Sequence, residues 1–340
     1  MKRIISLDII KIIAILSVII AHTMLICKSD SNNLFTTIGH TINSIFSCIG
    51  VPLFMCTSGA LILKKDLNTT ASITNFYKHN LLTIIITGEI WIIFYFLCNQ
   101  HFSFRELLYN IALIHKPEIH LWYIRMIILY YIAMPIISYL VTKAKILMIF
   151  ITSIIICATF IYNGFLIYKG YPYPTTSGLS YTCYLIYLLA GYYISKQRCI
   201  FSSINHCIFL SIIILSFIGL FLSHWKNHYM IWYDNPFILF ISVSLFELIY
   251  RITKKINLTS HDNRLIKIIS DLSNMTFGIY LSHMLFIIVL RHYCNEIINS
   301  RNINIIIYPL TIIIIVCTIA LIKITKKINK DLSYILFRYK

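Results

Sequence analysis

The first apolar segment of the chain carries three ionisable residues on one face, namely Asp8, Lys11 and His22. At about 100° per residue, the step from Lys11 to His22 makes about three turns plus roughly 20°, and Asp8 lies about 60° from Lys11. Charged groups are costly in hydrocarbon, so this stripe indicates a function. A histidine can serve as a general base near neutral pH, and a lysine can attract an anion. The spacing alone suits either a membrane enzyme or a transporter.

Other polar residues also lie within apolar segments. When depth is measured at about 1.5 Å per residue from each predicted helix end, they form two layers, with Glu89 between them. Two layers suit a polar passage through the protein better than a single mouth. The expected inner layer comprises Asp8, Lys11 and His283, and the expected outer layer comprises His22, His120 and Arg125.

Each of these residues also has a purely structural interpretation. Asp8 and Lys11, one helical turn apart, can neutralise one another. Arg125 can extend its charged end to the outer interface, and Glu89 can pair with a cation across the bundle. An intramembrane histidine is often only a hydrogen-bonding partner between helices, and this interpretation is favoured for His283. The sequence contains no metal-ligand spacing, no Gly-rich phosphate loop and no Gly-x-Ser-x-Gly motif.

The elements that position these residues are predicted to be membrane helices. The chain of 340 residues is 59% hydrophobic and only 12% charged, with a mean hydropathy of +0.80, whereas a soluble domain is about a quarter charged. Recurring apolar runs long enough to cross about 30 Å of hydrocarbon predict an all-α polytopic membrane protein, with one integral-membrane domain over residues 1–340. The predicted helices span roughly residues 4–27, 44–63, 80–98, 121–141, 146–167, 180–195, 204–223, 235–251, 276–297 and 303–323.

The basic excess of the chain indicates its topology. There are 29 Lys and Arg residues against 12 Asp and Glu, a net charge of +17. Most of these cations fall in segments on the same side as the N-terminus, so the positive-inside rule predicts that both termini are cytoplasmic. This placement argues against nucleic acid as a partner. The first segment lacks a signal-peptide cleavage site and is expected to remain as a helix.

Two loops and the cysteines complete this description. The outer loop at residues 223–235 is rich in Trp, Tyr and His, which favours an interfacial aromatic belt over a sugar-stacking surface. The inner loop at residues 251–275 is basic and is predicted to be a solvated connection. The ten cysteines lie mainly in apolar segments without a C-x-x-C pair, so they are expected to be buried hydrophobic residues.

Five stretches, in this order along the chain, resemble the integral-membrane acyltransferase family called acyltransferase type 3. The family commonly has arginine where Lys11 stands, and lysine offers a point charge instead of a bidentate contact. A basic cluster of the family is reduced here to one lysine and one histidine in residues 76–80. The matching stretches are Leu7-Asp8-x-x-Lys11-x10-His22, Val51-Pro-Leu-Phe-Met-Cys-Thr-Ser-Gly59, His120-Leu-Trp-Tyr123, Leu188-Leu-Ala-Gly191 and Phe277-Gly-Ile-Tyr-Leu-Ser-His283.

The resemblance, strongest to the compact surface-polysaccharide O-acetyltransferases, implies transfer of an acetyl group from cytoplasmic acetyl-CoA to a sugar hydroxyl. The acceptor would be a surface polysaccharide or a lipid-linked glycan, and the location a bacterial inner (plasma) membrane. His22 would be catalytic as a base or acyl carrier, supported by Lys11, which Asp8 would fix. Acetyl-CoA would be a substrate, with no bound cofactor and no metal. The implied donor-binding residues are Lys64, Lys65 and Lys78, and the implied acceptor-side residues are Glu89, His120, Trp122 and Arg125.

The main alternative is a transporter or flippase of a lipid-linked sugar, in which the polar layers would line a passage. Such proteins often contain repeated halves with helices broken by Gly or Pro, and the seven prolines of this chain show no such pairing. A glycan polymerase would carry a large outer loop, which is missing. The enzyme is therefore favoured.

Overall fold

The computed structural model describes most of the chain, and every regular element in the described part is a helix. The described residues are 3–26, 34–65, 67–98, 103–111, 119–171, 180–196, 205–227, 231–255, 264–293 and 303–339. The α-helices are α1 (Ile5–Ile26), α2 (Leu34–Cys48), α3 (Gly50–Ile62), α4 (Thr70–Phe76), α5 (Leu82–Cys98), α6 (Phe104–Ile111), α7 (Trp122–Thr142), α8 (Lys145–Ile156), α9 (Tyr162–Tyr168), α10 (Cys183–Ser195), α11 (His206–Asn227), α12 (Pro236–Lys255), α13 (Arg264–Tyr293), α14 (Ile303–Ile328) and α15 (Lys330–Phe337).

Within the described residues, nine helical stretches are long and apolar enough to cross a membrane, and α10 is a shorter apolar helix. Three of the nine stretches combine two helices each, namely α2 with α3, α4 with α5, and α8 with α9. Together with α10 they follow the order of the ten predicted segments. The prediction of an all-α polytopic membrane protein is confirmed.

Two of the stretches contain a π turn, which widens the helix by one residue. The first, Tyr77–Leu81, joins α4 to α5, and the second, Cys157–Ile161, joins α8 to α9. The prediction began the first of these helices at residue 80, but it starts at Thr70. Thr69 exchanges capping hydrogen bonds with Ser72 there, which explains the earlier start.

Helix α1 lies in the interior of the bundle, where it packs against α2, α3, α12, α13 and α14. Apart from its polar stripe this helix is apolar on all sides, and such a helix is expected to be buried. Its side chains Leu7, Ile10 and Ile19 are almost completely inaccessible to solvent. The polar stripe of α1 therefore faces neighbouring helices.

A pair of glycines fixes the crossing of α3 and α10. A Cβ placed on Gly59 would lie 1.8 Å from the carbonyl oxygen of Leu188, and a Cβ on Gly191 would lie 1.8 Å from that of Cys56. Neither distance is possible for a real side chain, so only glycine permits this approach of the two backbones. Small residues at such crossings are typical of membrane helices.

The predicted solvated loop at residues 251–275 is wrong in its second half, because α13 begins at Arg264 instead of residue 276. Residues 264–275 are too polar to be recognised as part of a membrane span, yet Leu265, Ile268 and Leu272 recur at helical spacing. The segment therefore continues the membrane helix beyond its apolar part.

Both ends of the described chain lie at the start of α13. The Arg3 Nη2 atom donates to the carbonyl oxygen of Ser270 at 2.7 Å, and the Tyr339 hydroxyl donates to Asp271 Oδ1 at 2.5 Å. The two ends are therefore on the same side of the bundle, called here the terminal side.

Candidate active site

Three histidines from distant parts of the sequence meet in the interior of the bundle. His22 comes from α1, His283 from α13, and His120 from the short 3₁₀ turn that precedes α7. The ring centroids are 4.9 Å apart for His22 and His283, 5.1 Å for His120 and His283, and 6.1 Å for His22 and His120. We call this group the histidine cluster.

Hydrogen bonds assign the protonated nitrogens of two of these rings. Nδ1 of His283 lies 2.6 Å from the carbonyl oxygen of Tyr280, and Nδ1 of His22 lies 2.8 Å from that of Val18. A carbonyl oxygen can only accept, so each Nδ1 carries a proton when the ring is neutral. Nε2 of His283 is then an acceptor, and it lies 3.2 Å from Nδ1 of His22. This leaves the lone pair of His22 on Nε2, where it can accept a proton.

Tyrosines position the third histidine. The hydroxyl of Tyr280 donates to the carbonyl oxygen of His120, and the hydroxyl of Tyr95 donates to the carbonyl oxygen of Leu281 at 2.8 Å. The His120 ring packs edge-on against Tyr95 at 5.1 Å. Both ring nitrogens of His120 are buried without a hydrogen-bond partner among the described residues, which is uncommon for buried polar atoms.

The predicted depth of His283 is wrong. Ser273 contacts Asp8, and His283 lies ten residues beyond Ser273, which is about 15 Å along a helix. It therefore reaches the depth of His22 instead of the depth of Lys11. The cause is the position of the helix start, since the prediction placed residue 283 soon after the beginning of its helix at 276.

The expected pairing of Asp8 with Lys11 is also corrected. Asp8 Oδ2 accepts from Nε of Arg3 at 2.6 Å, and Asp8 Oδ1 accepts from the hydroxyl of Ser273 at 2.6 Å. Within the described residues, no carboxylate oxygen lies within 4.0 Å of Lys11 Nζ. The sequence placed Asp8 and Lys11 on one face, but Arg3 is flexible enough to fold back over the first turn. Asp8 thus ties the start of α1 to α13 instead of forming a direct ion pair with Lys11.

Lys11 lines a cavity of about 520 Å³ that begins on the terminal side of the bundle. Its wall contains three cationic side chains and several hydroxyl and amide groups, with no Asp or Glu among the described lining residues. Such a wall favours an anionic ligand. The lining residues are Lys11, Phe54, Thr57, Ser58, Leu61, Ile62, Lys65, His79, Asn80, Thr83, Ile84, Tyr123, Ile127, Tyr131, Ser273, Asn274, Thr276, Phe277, Tyr280 and Arg338.

The three lysines assigned to donor binding have different positions. Lys65 lines the cavity and donates to Asn80 Oδ1 at 3.2 Å. Lys64 is half-buried and lies outside the lining, and Lys78 is exposed and also outside it. Burial lowers the pKa of Lys65, while burial and the nearby Lys196 lower that of Lys64. The cavity therefore brings together Lys11 and Lys65 but not the other two.

Tyr280 connects the cavity to the histidine cluster. It lines the cavity, while its hydroxyl and its carbonyl group contact His120 and His283, respectively. Tyr123 lines the same part of the wall and packs against Tyr280 with ring centroids 5.4 Å apart. The inner end of the cavity is thus separated from the cluster by one layer of aromatic rings.

The residues predicted for the acceptor side are less closely grouped. Trp122 packs against Tyr184, Trp232 and Tyr233, with ring centroids 5.9, 6.5 and 5.6 Å away. The sequence favoured an interfacial belt for the loop that supplies Trp232 and Tyr233, but both residues pack on the start of α7. This aromatic cluster is adjacent in sequence to His120.

Glu89 and Arg125 are half-buried on α5 and α7. Oε2 of Glu89 is buried without a hydrogen-bond partner in the described part of the chain.

Sequence reasoning missed the structural roles of Arg3 and Ser273 and the place of Arg338 in the cavity. It noticed His283 within the Phe277–His283 stretch, whose match to the family was the available signal.

Comparison with known proteins identifies the family of the chain. The family model described as an acyltransferase domain matches residues 4–324, nearly the whole chain. No curated protein and no solved structure gives a significant match. The match favours the enzyme over the transporter that the sequence had left open, and it covers the histidine cluster and most of the cavity wall. The chain belongs to the acyltransferase type 3 family and is a multi-pass membrane acyltransferase.

Proposed function

We propose that this protein is an O-acetyltransferase that moves an acetyl group from cytoplasmic acetyl-CoA to a hydroxyl of a cell-surface polysaccharide or lipid-linked sugar. The observation that carries the proposal is the hydrogen-bonded His22–His283 pair next to a cation-lined cavity. The family assignment supplies the reaction class, acyl transfer. The orientation follows the positive-inside prediction, with the terminal side in the cytoplasm of a bacterial cell.

The cavity supports a phosphorylated acyl donor. Acetyl-CoA carries several phosphate charges at one end and a thioester at the other. Lys11 and Lys65 would attract the phosphates, and the hydroxyl and amide groups of the wall would accept or donate further hydrogen bonds. The volume of about 520 Å³ lies within the range of ligand sites, roughly 300–1,000 Å³. The thioester would lie at the inner end, beside Tyr123 and Tyr280, and would reach His22 once these rings move aside.

His22 would supply the missing element of the reaction, a base for the acceptor hydroxyl. Its Nε2 would take the hydroxyl proton while the sugar oxygen forms a bond to the acetyl carbon. The C–S bond of the thioester would then break, and the proton would pass to the departing thiolate. His283 would hold the Nδ1–H tautomer of His22 and stabilise the imidazolium while it exists.

A covalent route uses the same atoms. Nε2 of His22 would attack the thioester carbon and the CoA thiolate would leave. The sugar oxygen would then bond to the acetyl carbon and displace the imidazole, and the hydroxyl proton would pass to the released Nε2 and finally to the CoA thiolate. The two unpartnered nitrogens of His120 would stabilise the developing negative charge or the acceptor, depending on their protonation. Trp122, Glu89 and Arg125 would form the acceptor side, where the Trp122 ring offers an apolar platform for a sugar.

The test is a comparison of His22→Ala with His292→Ala, since His292 is an exposed histidine near the end of α13. Mass spectrometry of the surface glycans should lose the acetyl increment for the first variant and keep it for the second. Detection of both proteins in the membrane fraction controls for insertion. Normal glycan acetylation by inserted His22→Ala would refute the assignment.

A further inference from the structure

The C-terminal segment, defined here as residues 330–339, folds back against the bundle although it lies beyond the residues matched by the family model. The side chains of α5 hold its end, because Thr87 Oγ1 donates to the carbonyl oxygen of Ile335 at 2.9 Å and Trp91 Nε1 donates to that of Leu336 at 2.8 Å. Carbonyl groups in the last turn of a helix lack partners within the helix, so these bonds satisfy them.

Two aromatic residues anchor the segment on either side of Arg338. Phe337 is buried beneath Gly278, where an added Cβ would lie 2.8 Å from Cβ of Phe337. Tyr339 is buried too, and its hydroxyl donates to Asp271 while Lys326 lies over its ring at 4.1 Å. Burial and the Asp271 carboxylate raise the pKa of Tyr339 to about 12, so the hydroxyl keeps its proton.

Arg338 lies between these anchors in a left-handed backbone conformation, with φ of 58°. It is the only residue other than glycine with positive φ in the described part of the chain. This conformation is uncommon for an arginine and persists only where the surroundings enforce it. The turn directs the Arg338 side chain into the wall of the cavity, with its guanidinium over the ring of Tyr334 at 4.2 Å.

The guanidinium of Arg338 has the surroundings expected of a group that binds an anionic ligand. No carboxylate oxygen of the described residues lies within 4.0 Å of its guanidinium. It shares the cavity wall with Lys11 and Lys65, whereas Lys78, which the sequence had suggested for this role, lies outside the lining. A planar guanidinium can bind a phosphate through two parallel hydrogen bonds, which a lysine cannot do.

We propose that Arg338 binds a phosphate group of the acyl donor, and that the C-terminal segment is a wall of the donor site whose docking and donor binding stabilise each other. The inference rests on the proposed function, because it takes acetyl-CoA as the donor. A phosphate could also come from an anionic lipid headgroup, so the test separates the two sources.

The test measures binding of radiolabelled acetyl-CoA to the full chain in nanodiscs of phosphatidylcholine, with and without phosphatidylglycerol. Arg338→Gln should weaken binding about tenfold in both membranes, as expected for one partly exposed charge-assisted contact. Arg338→Gly should weaken binding equally while folding at least as well, because glycine adopts positive φ without strain. The matched control is Lys330→Gln, which removes an exposed charge from the same segment and should bind normally.

Each other result has a defined meaning. Normal acetyl-CoA binding by Arg338→Gln would overturn this inference and leave the proposed function intact. A defect that occurs only with phosphatidylglycerol would assign Arg338 to lipid and overturn it as well. A wild-type protein that binds no acetyl-CoA would overturn both the inference and the proposed donor.

Discussion

Replacement of His283 tests whether the histidine pair is a positioned base or only a contact between helices. His283 is fully buried, and its Nε2 lies 3.2 Å from Nδ1 of His22. If His22 becomes charged in the transition state, the hydrogen bond to His283 acts on a charged group, which is worth about 1.5–3 kcal/mol. At about 1.4 kcal/mol per factor of ten, His283→Ala should lower kcat by about 10- to 100-fold.

This loss should be smaller than the loss for His22→Ala, which removes the base itself and should cost about 10²- to 10⁴-fold. The carbonyl oxygen of Val18 still holds the Nδ1–H tautomer of His22 when His283 is absent. His283→Gln should keep more activity than His283→Ala, because its amide oxygen can accept the same hydrogen bond. The double variant His22→Ala/His283→Ala should be no worse than His22→Ala alone.

The assay follows release of the CoA thiol by membranes together with the acetylated fraction of the glycan, at saturating acetyl-CoA. Thermal unfolding of each purified variant controls for stability. Two results would refute the reasoning. One is full kcat in His283→Ala, and the other is an additive loss in the double variant, since independent effects would mean that His283 does not act through His22.

Three further predictions concern the scaffold and the cavity. Gly191→Ala should lower the free energy of unfolding by about 2 kcal/mol or more, because its Cβ would meet a backbone carbonyl oxygen at 1.8 Å. The control is Gly164→Ala, whose Cβ would lie 3.5 Å from its neighbour and which should hardly change the melting temperature in detergent. Equal melting temperatures for the two variants would contradict the packing argument. Asp8→Asn and Arg3→Gln should each lower the free energy of unfolding by about 1–3 kcal/mol, measured in the same assay. An Arg3→Gln variant as stable as the wild type would instead favour the pairing of Asp8 with Lys11 that the sequence suggested. Burial lowers the pKa of Lys65, so the KM for acetyl-CoA should rise as the pH rises through that lowered pKa and the lysine loses its charge. Lys65→Arg should move this rise in KM to higher pH, because arginine stays charged. An unshifted pH profile of KM would exclude Lys65 from donor binding.

The helical class and the order of the membrane segments could be predicted from sequence, because apolar length is a strong signal. The boundaries of α13 could not, since its first three turns are amphipathic instead of uniformly apolar. That error of about twelve residues moved His283 into the wrong layer. Because of the same error, the contact between His22 and His283 was not predicted. That contact depends on where α1 and α13 cross, which neither segment shows alone.

Part of the candidate site could be predicted from the residue types and from the matching stretches. Lys11 and Lys65, both assigned to the donor side or its support, line a common cavity, and His120 lies beside His22. The contact of Arg3 with Asp8 and the place of Arg338 arise from chain ends that fold back, and neither has a periodic pattern. Local spacing also could not distinguish Lys78, which points to solvent, from Lys65, which lines the cavity.

The π turn at Tyr77–Leu81 sets the rotational phase between two functional parts of one span. His79 and Asn80 of the turn line the cavity, and Thr87 and Trp91 further along hold the C-terminal segment. A π turn holds one residue more than the α-helical turn it replaces, so removal of one residue from it would restore ordinary α-helix and leave the residues beyond it facing nearly the same way. A deletion between the turn and Thr87 would instead rotate Thr87 and Trp91 by about 100°, away from the carbonyl oxygens of Ile335 and Leu336. The turn is thus the one stretch of this span that can lose a residue without undocking the C-terminal segment.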